Sequence, residues 1–203
     1  MHKIEDIVPS LPGWSSVMKC MRLYSTIVTN KPKITVEIGV FGGRGVLSMG
    51  LAHKEVGGIC FGIDPYSINA SIEGTNSEED NKWWSDLNYE KLYRDVMIQI
   101  LAHDLTKEIN MLRMKSDSAA HLFKPNSIGL LVIDGNHSKE MCTTDIMNWA
   151  PKIASDGIIL MDDLEWQGVS ESYPLLFDYG FTKEEIIDDP AGSRWGIFKK
   201  LTE

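Results

Sequence analysis

Apolar residues recur along the chain in short blocks whose spacing alternates between helical and extended periods. Trp14, Val17, Met18, Met21, Tyr24 and Val28 share one helical face, which Asn30 and Pro32 bring to an end. Ile34–Ile38 reads as a short strand, Gly39–Gly45 as a glycine-rich loop, and Val46–Glu55 as a helix stopped by Gly57 and Gly58. Ile59–Ile63 is a second buried strand ending at Asp64 and Pro65. Residues 66–85 are polar and poor in aliphatics, and they carry Trp83 and Trp84; a structureless stretch of this length is expected to be a lid. Tyr89, Leu92, Tyr93, Val96, Met97 and Ile100 mark an amphipathic helix. A weak strand follows at Asn110–Met114, then an apolar strand at Ile128–Ile133 and a helix over about 138–150. Ile158–Met161 is a fifth strand, Gly168–Phe177 a helical stretch disturbed by Pro174, and Ile186–Ile187 with Trp195–Phe198 a terminal hairpin.

Short apolar strands alternating with helices imply a mostly parallel, doubly wound α/β sheet with helices on both faces. The C-terminal hairpin would be its antiparallel edge. Neither an internal repeat nor a Pro/Gly/Ser-rich linker divides residues 1–203, so one domain is expected. In such sheets ligands bind beyond the carboxyl ends of the strands.

Charge narrows the partners. A formal net charge of −9 disfavours the phosphate backbone of nucleic acid and an anionic membrane surface alike. It leaves a small molecule or a divalent cation, and a homo-oligomer is compatible with it. Three scattered cysteines, Cys20, Cys60 and Cys142, form neither a disulfide framework nor a zinc motif. Residues 1–6 lack the basic-then-apolar pattern of a signal peptide, and no apolar run reaches membrane-spanning length, so a reduced cytoplasmic protein is expected.

The polar signals fall at the strand ends. Glu37, Gly39, Phe41 and Gly43 lie in an ExGxxxG pattern between the first strand and a helix. Glycines there let backbone approach a ligand, and the helix start offers free N–H groups. A dinucleotide loop would read GxGxxG, but Phe41 breaks that spacing. Asp64 ends the second strand, where a carboxylate can accept from two ribose hydroxyls. In these residues the chain resembles the class I S-adenosylmethionine-dependent methyltransferases, a Rossmann-like fold. The resemblance spans about residues 14–166. It implies that the loop residues Glu37, Gly39, Phe41 and Gly43 hold the methionine end of the cofactor, that Asp64 holds the ribose, and that Ser116 and Asp117 lie near the adenine. Ser116 and Asp117 read equally well as a helix cap.

A second polar group follows strands four and five: Asp134, Gly135, Asn136 and His137, then Asp162 and Asp163. Neighbouring strands would bring the three carboxylates together, where they repel unless a positive charge intervenes, and oxygen ligands suit Mg²⁺ or another hard cation. The pattern resembles the metal-dependent sugar O-methyltransferases of macrolide biosynthesis. That resemblance implies Asp134, Asp162 and Asp163 as metal ligands, with Asp134 also touching cofactor, and Asp134 with His137 as the catalytic pair, His137 being the base. The chain departs from those relatives at Lys139 and in length. The reading that follows is methyl transfer to a small-molecule hydroxyl of a sugar or natural product. A metal-independent methyltransferase, a non-catalytic cofactor-binding protein and a nicotinamide-dependent oxidoreductase are its rivals.

Trp83, Trp84 and Trp166 are candidates for an acceptor pocket or for packing between lid and core. His53, His103 and His121 are expected at the surface, the methionines in the core, and Lys183–Glu185 on a solvated face.

Overall fold

The computed structural model describes residues 2–202. Its strands are β1 (Ile34–Ile38), β2 (Ile59–Ile63), β3 (Ile109–Leu112), β4 (Ile128–Ile133), β5 (Ile153–Met161), β6 (Phe181–Asp188) and β7 (Arg194–Lys200). They form one sheet in the order β3-β2-β1-β4-β5-β7-β6, in which only the pairings made by β7 are antiparallel. The hairpin therefore folds back so that β7, not β6, completes the sheet against β5.

The helices are α1 (His2–Ile7), α2 (Val17–Asn30), α3 (Arg44–Val56), α4 (Ile68–Ser71), α5 (Glu78–Ser85), α6 (Tyr89–Ala102), α7 (Ser116–Ala120), α8 (Lys139–Trp149) and α9 (Gln167–Ser172). Strand side chains alternate between two apolar layers. Leu131 and Ile133 pack with Cys142, Ile146 and Trp149 of α8, whereas Leu130 and Val132 pack with Leu23 of α2, Leu47 of α3 and Val96 of α6. None of the described helices is long and apolar enough to cross a membrane.

The chain builds β1, β2 and β3 outward in one direction and returns to place β4 on the other side of β1, so a topological switch point lies between β1 and β4. Register then aligns the site. Ile38 is level with Ile63 and with Ile133, and Ile133 with Met161. The next residues, Gly39, Asp64, Asp134 and Asp162, stand in one row along the carboxyl edge. The ladder holds them there: Gly39 N–H donates to Ile63 O at 2.9 Å, Asp134 N–H to Ile38 O at 2.9 Å, and Asp162 N–H to Ile133 O at 3.0 Å.

Several expectations are corrected. Trp14 is outside α2, because Gly13 turns at φ +118 and Ser16 caps the helix by accepting from Lys19 N–H at 3.0 Å. The buried stripe of α2 is Lys19, Cys20, Leu23 and Ile27, and Trp14 and Met18 are 61% and 40% exposed. A lysine in that stripe disguises it in the sequence. Residues 66–85 are not structureless, since they carry α4 and α5, the latter capped by Ser77. Pro174 ends α9 early, and a 3₁₀ turn continues to Tyr179. His53 is buried, its ring bonded to Thr35 Oγ1 at 2.9 Å and Gly57 O at 3.1 Å, where a surface position was expected. The three cysteines are free and buried.

Candidate active site

Two adjoining cavities open along the carboxyl edge. They share Gly39, Phe41, Trp84, Asp134, Gly135 and His137, which form the wall between them. The larger runs past Asp64, Tyr66, Ser116 and Asp117. The smaller is bounded by Trp14, Ser15, Glu37, Arg44, Asp162 and Asp163.

The glycine loop explains itself residue by residue. Gly39 crosses the switch point so tightly that a Cβ there would lie 1.8 Å from the Asp134 carbonyl oxygen. No other residue fits. Gly43 lines neither cavity; at φ +88 it begins α3 and leaves room for Val96 of α6. Phe41 lies in the left-handed region at φ +46, a strained setting for a bulky residue. Glu37 is buried beneath α3, where the Val46 backbone N–H bonds to it, and its Oε2 has no partner. Burial pushes its carboxyl up to about 8, against the pull of Lys19 and of that amide. A buried, unpartnered oxygen of this acid at the cavity fits a ligand ammonium, whose charge would favour loss of the proton.

Asp64 is tied to the loop by backbone alone. Its Oδ2 accepts from Val40 N–H at 3.1 Å and Phe41 N–H at 3.0 Å, and Oδ1 from Tyr66 N–H at 2.7 Å. Burial raises its pKa, and the three amides oppose that rise. The acid faces the larger cavity with lone pairs to spare, as a ribose would require. Ser116 donates to Asp145, an acid the sequence reading missed, which burial pushes up to about 7. Asp117 is exposed at the cavity rim and accepts from Ser118 N–H at 2.5 Å.

At the second acidic group the structure brings in a residue that sequence reasoning did not single out. Lys19, 2% exposed, reaches from α2 to donate to Asp162 Oδ2 and, at 3.1 Å, to Asp134 Oδ2. Burial disfavours its charge, but the two carboxylates outweigh burial and hold its pKa above the ordinary lysine range. Ser15 adds a longer bond to Asp134 Oδ2 at 3.4 Å. Burial and then repulsion from Asp162 push Asp134 upward, against Lys19. Asp162 is 5% exposed and its Oδ1 has no partner. Breaking a buried pair of this kind by removing one member costs about 3–5 kcal/mol.

His137 Nε2 lies 2.8 Å from Asp163 Oδ2, and its ring packs on Trp166 at 4.6 Å between centroids. Burial works against the Asp163 charge, yet the His137 contact holds its carboxyl below the usual range. Asp163 itself is left-handed, at φ +52, which turns its side chain toward His137 while Asp162 turns toward Lys19.

The expected metal set is not assembled. Donor atoms of Asp134, His137 and Asp163 lie within 4.8 Å of one another, and Asp162 is not among them. Of these, Asp134 Oδ2 is paired with Lys19, and His137 Nε2 with Asp163 Oδ2. The three acids expected as ligands therefore do not form one set, and Lys19 takes the place between Asp134 and Asp162 that an ion would fill. Lys139, the departure noted in the sequence, pairs with Glu171 at the surface and does not enter the site.

Aromatic rings roof the junction. Trp14 stacks on Phe41 at 5.0 Å, and Trp83 and Trp84 close on the pair at 5.2 Å and 6.4 Å from Trp14. Trp83 and Trp84 thus pack α5 against the loop, and Trp84 also lines both cavities. Arg44 fastens the segment before α2 over the loop, donating to Leu11 O at 2.6 and 2.9 Å and to Ser15 O at 3.1 Å.

A doubly wound sheet with its seventh strand antiparallel, a glycine loop after β1 and an acid after β2 is the architecture of the class I methyltransferases. A family profile described as a methyltransferase domain matches residues 36–164, more than half of the sequence, and the chain belongs to that family. The structure is similar to cofactor-bound Rv0187 from MTB, with a TM-score of 0.71 at 10% identity over 100% of this chain and 88% of that one. It is also similar to an O-methyltransferase from Bacillus cereus in complex with SAH (TM-score 0.68, 13% identity, 99% and 90% covered). A third likeness is to TomG from Streptomyces achromogenes, an O-methyltransferase involved in tomaymycin synthesis and solved with SAM (TM-score 0.65, 10% identity, 92% and 81% covered). At these identities the likeness shows the fold. No curated protein sequence matches the chain.

Proposed function

We propose that this methyltransferase moves a methyl group from S-adenosylmethionine to a hydroxyl of a small molecule such as a sugar or natural product. The observation that supports the reading is the pair of adjoining cavities that meet at Asp134 and His137: Asp64 lines the larger and Glu37 the smaller, so the two ends of one extended cofactor have an acid each, and the wall between them carries the candidate base. Asp64, Ser116 and Asp117 would hold the adenosine end, and Glu37, Gly39 and Phe41 the amino-acid end. Bound there, the cofactor supplies an electrophilic methyl group.

The remaining work belongs to the chain. An acceptor hydroxyl must lose a proton as it attacks. With Nε2–H donated to Asp163, His137 presents Nδ1 as the proton acceptor, and Asp163 fixes the tautomer and stabilises the imidazolium that forms. Trp14, Trp84 and Trp166 exclude water and offer flat surfaces to a ring. Because the Lys19 ammonium already lies against both Asp134 and Asp162, the reading is of transfer without a bound divalent ion.

Two measurements test it. Calorimetry with S-adenosylhomocysteine should show binding, and radiolabelled S-adenosylmethionine should label a hydroxyl within a panel of sugars, glycosides and phenols after exhaustive EDTA treatment. An absence of S-adenosylhomocysteine binding at millimolar concentration would remove the proposal. Binding without transfer to any panel member favours the non-catalytic rival.

A further inference from the structure

Lys19 stands out in a search of the molecule because it is a fully buried cation brought from α2, outside the matched span 36–164, to the ends of two sheet strands. Asp134 and Asp162 end β4 and β5, which pair in register, so their backbones fix them as neighbours. Two carboxylates held side by side repel unless a proton is shared or a positive charge lies between them. The ammonium of Lys19 meets one oxygen of each. Asp162 Oδ1, buried and without a partner, remains beside it as a further unused acceptor.

We infer that Lys19 is the site's resident cation, a positioning residue that does the charge-balancing work of a metal ion and, by occupying the oxygen cradle of Asp134 and Asp162, keeps divalent cations out. The inference deepens the methyl-transfer reading by assigning the cation of that same site, but it concerns only the protein's own charges. It follows that the cradle is a latent site for a hard cation. Removing the ammonium leaves the oxygens of Asp134 and Asp162 without that partner, and such oxygen donors suit Mg²⁺ or Mn²⁺. Lys19 touches neither acceptor nor donor in this account; it acts by holding the Asp134 and Asp162 side chains in place.

The test is a gain of metal binding, which loss of a merely structural lysine would not produce. Mn²⁺ is titrated into the wild type, Lys19→Ala and Lys19→Ala/Asp162→Asn, with free Mn²⁺ followed by electron paramagnetic resonance and unfolding temperature recorded alongside. Lys19→Ala should bind one Mn²⁺ at least tenfold more tightly than the wild type, and adding Asp162→Asn should abolish the gain. Should Lys19→Ala fail to fold alone, Mn²⁺ should restore its folding, and failure of that rescue overturns the inference. It is equally overturned if the wild type binds Mn²⁺ as tightly as the variant, or if folded Lys19→Ala binds none. None of these readouts uses S-adenosylmethionine, so a failure here is separate from a failure of S-adenosylhomocysteine to bind.

Discussion

Asp64 and Asp134 stand in the same row of strand ends, on either side of β1, and are held in opposite ways. Asp64 is satisfied by three backbone N–H groups, two of them from the glycine loop and one from two residues along its own chain. Asp134 is satisfied by side chains, Lys19 and Ser15, that lie more than a hundred residues away in sequence. A backbone-held acid shapes a pocket and tolerates little change in the loop around it. A side-chain-held acid leaves its surroundings to be rewritten by one substitution at a distance. The first arrangement suits the side of the site proposed to bind the cofactor, and the second the side proposed for the chemistry.

The largest effect that would sharpen this contrast belongs to His137 on the side-chain-held side. His137→Ala should lower kcat by about 10²–10⁴-fold, the usual contribution of a general base, while S-adenosylhomocysteine affinity stays unchanged by calorimetry. A loss below tenfold would remove the base assignment. On the backbone-held side, Asp64→Ala should weaken S-adenosylhomocysteine binding by more than about tenfold, or roughly 1.4 kcal/mol. It should also speed hydrogen exchange at the Val40 and Phe41 amides. If affinity holds while exchange rises, Asp64 orders the loop only and the ribose assignment fails.

An effect on stability alone concerns Glu37, an acid with a single amide bond and one unpartnered oxygen. Its folded pKa, about 8, lies above the ordinary carboxyl value of 4.5, so the native state keeps a proton that the unfolded chain releases. Its contribution to stability is therefore fully present below about pH 4.5 and is lost as pH rises toward about 8. Denaturant titrations across that range should show a declining stability that Glu37→Gln flattens. An unchanged slope in the variant would mean that another group titrates there.

What could be read from the sequence follows the same division. β1, β2 and β4 fall where the apolar runs place them, since each run is punctuated locally, by Pro32, by Gly57 and Gly58, or by the acid at its end. The row of Gly39, Asp64, Asp134 and Asp162 was legible because each follows a strand directly. Lys19 was not, because a lysine within an amphipathic helix reads as solvated, and nothing local connects it to acids 115 and 143 residues away. One clue was present: Lys19 lies four residues before Leu23 and eight before Ile27, in the row that α2 buries. Trp14 was misplaced for a related reason, its apolar character being spent on Phe41 across a turn and not on the helix core.

The segment before α2 carries one more consequence. Pro12 presses its carbonyl so close to Gly42 that a Cβ there would lie 2.2 Å from it. Trp14 and Ser15, a few residues on, border the smaller cavity. Exchanging this short stretch would thus also shift the glycine loop beneath it, so two walls of the smaller cavity are mechanically yoked, and a change in either is felt at position 42.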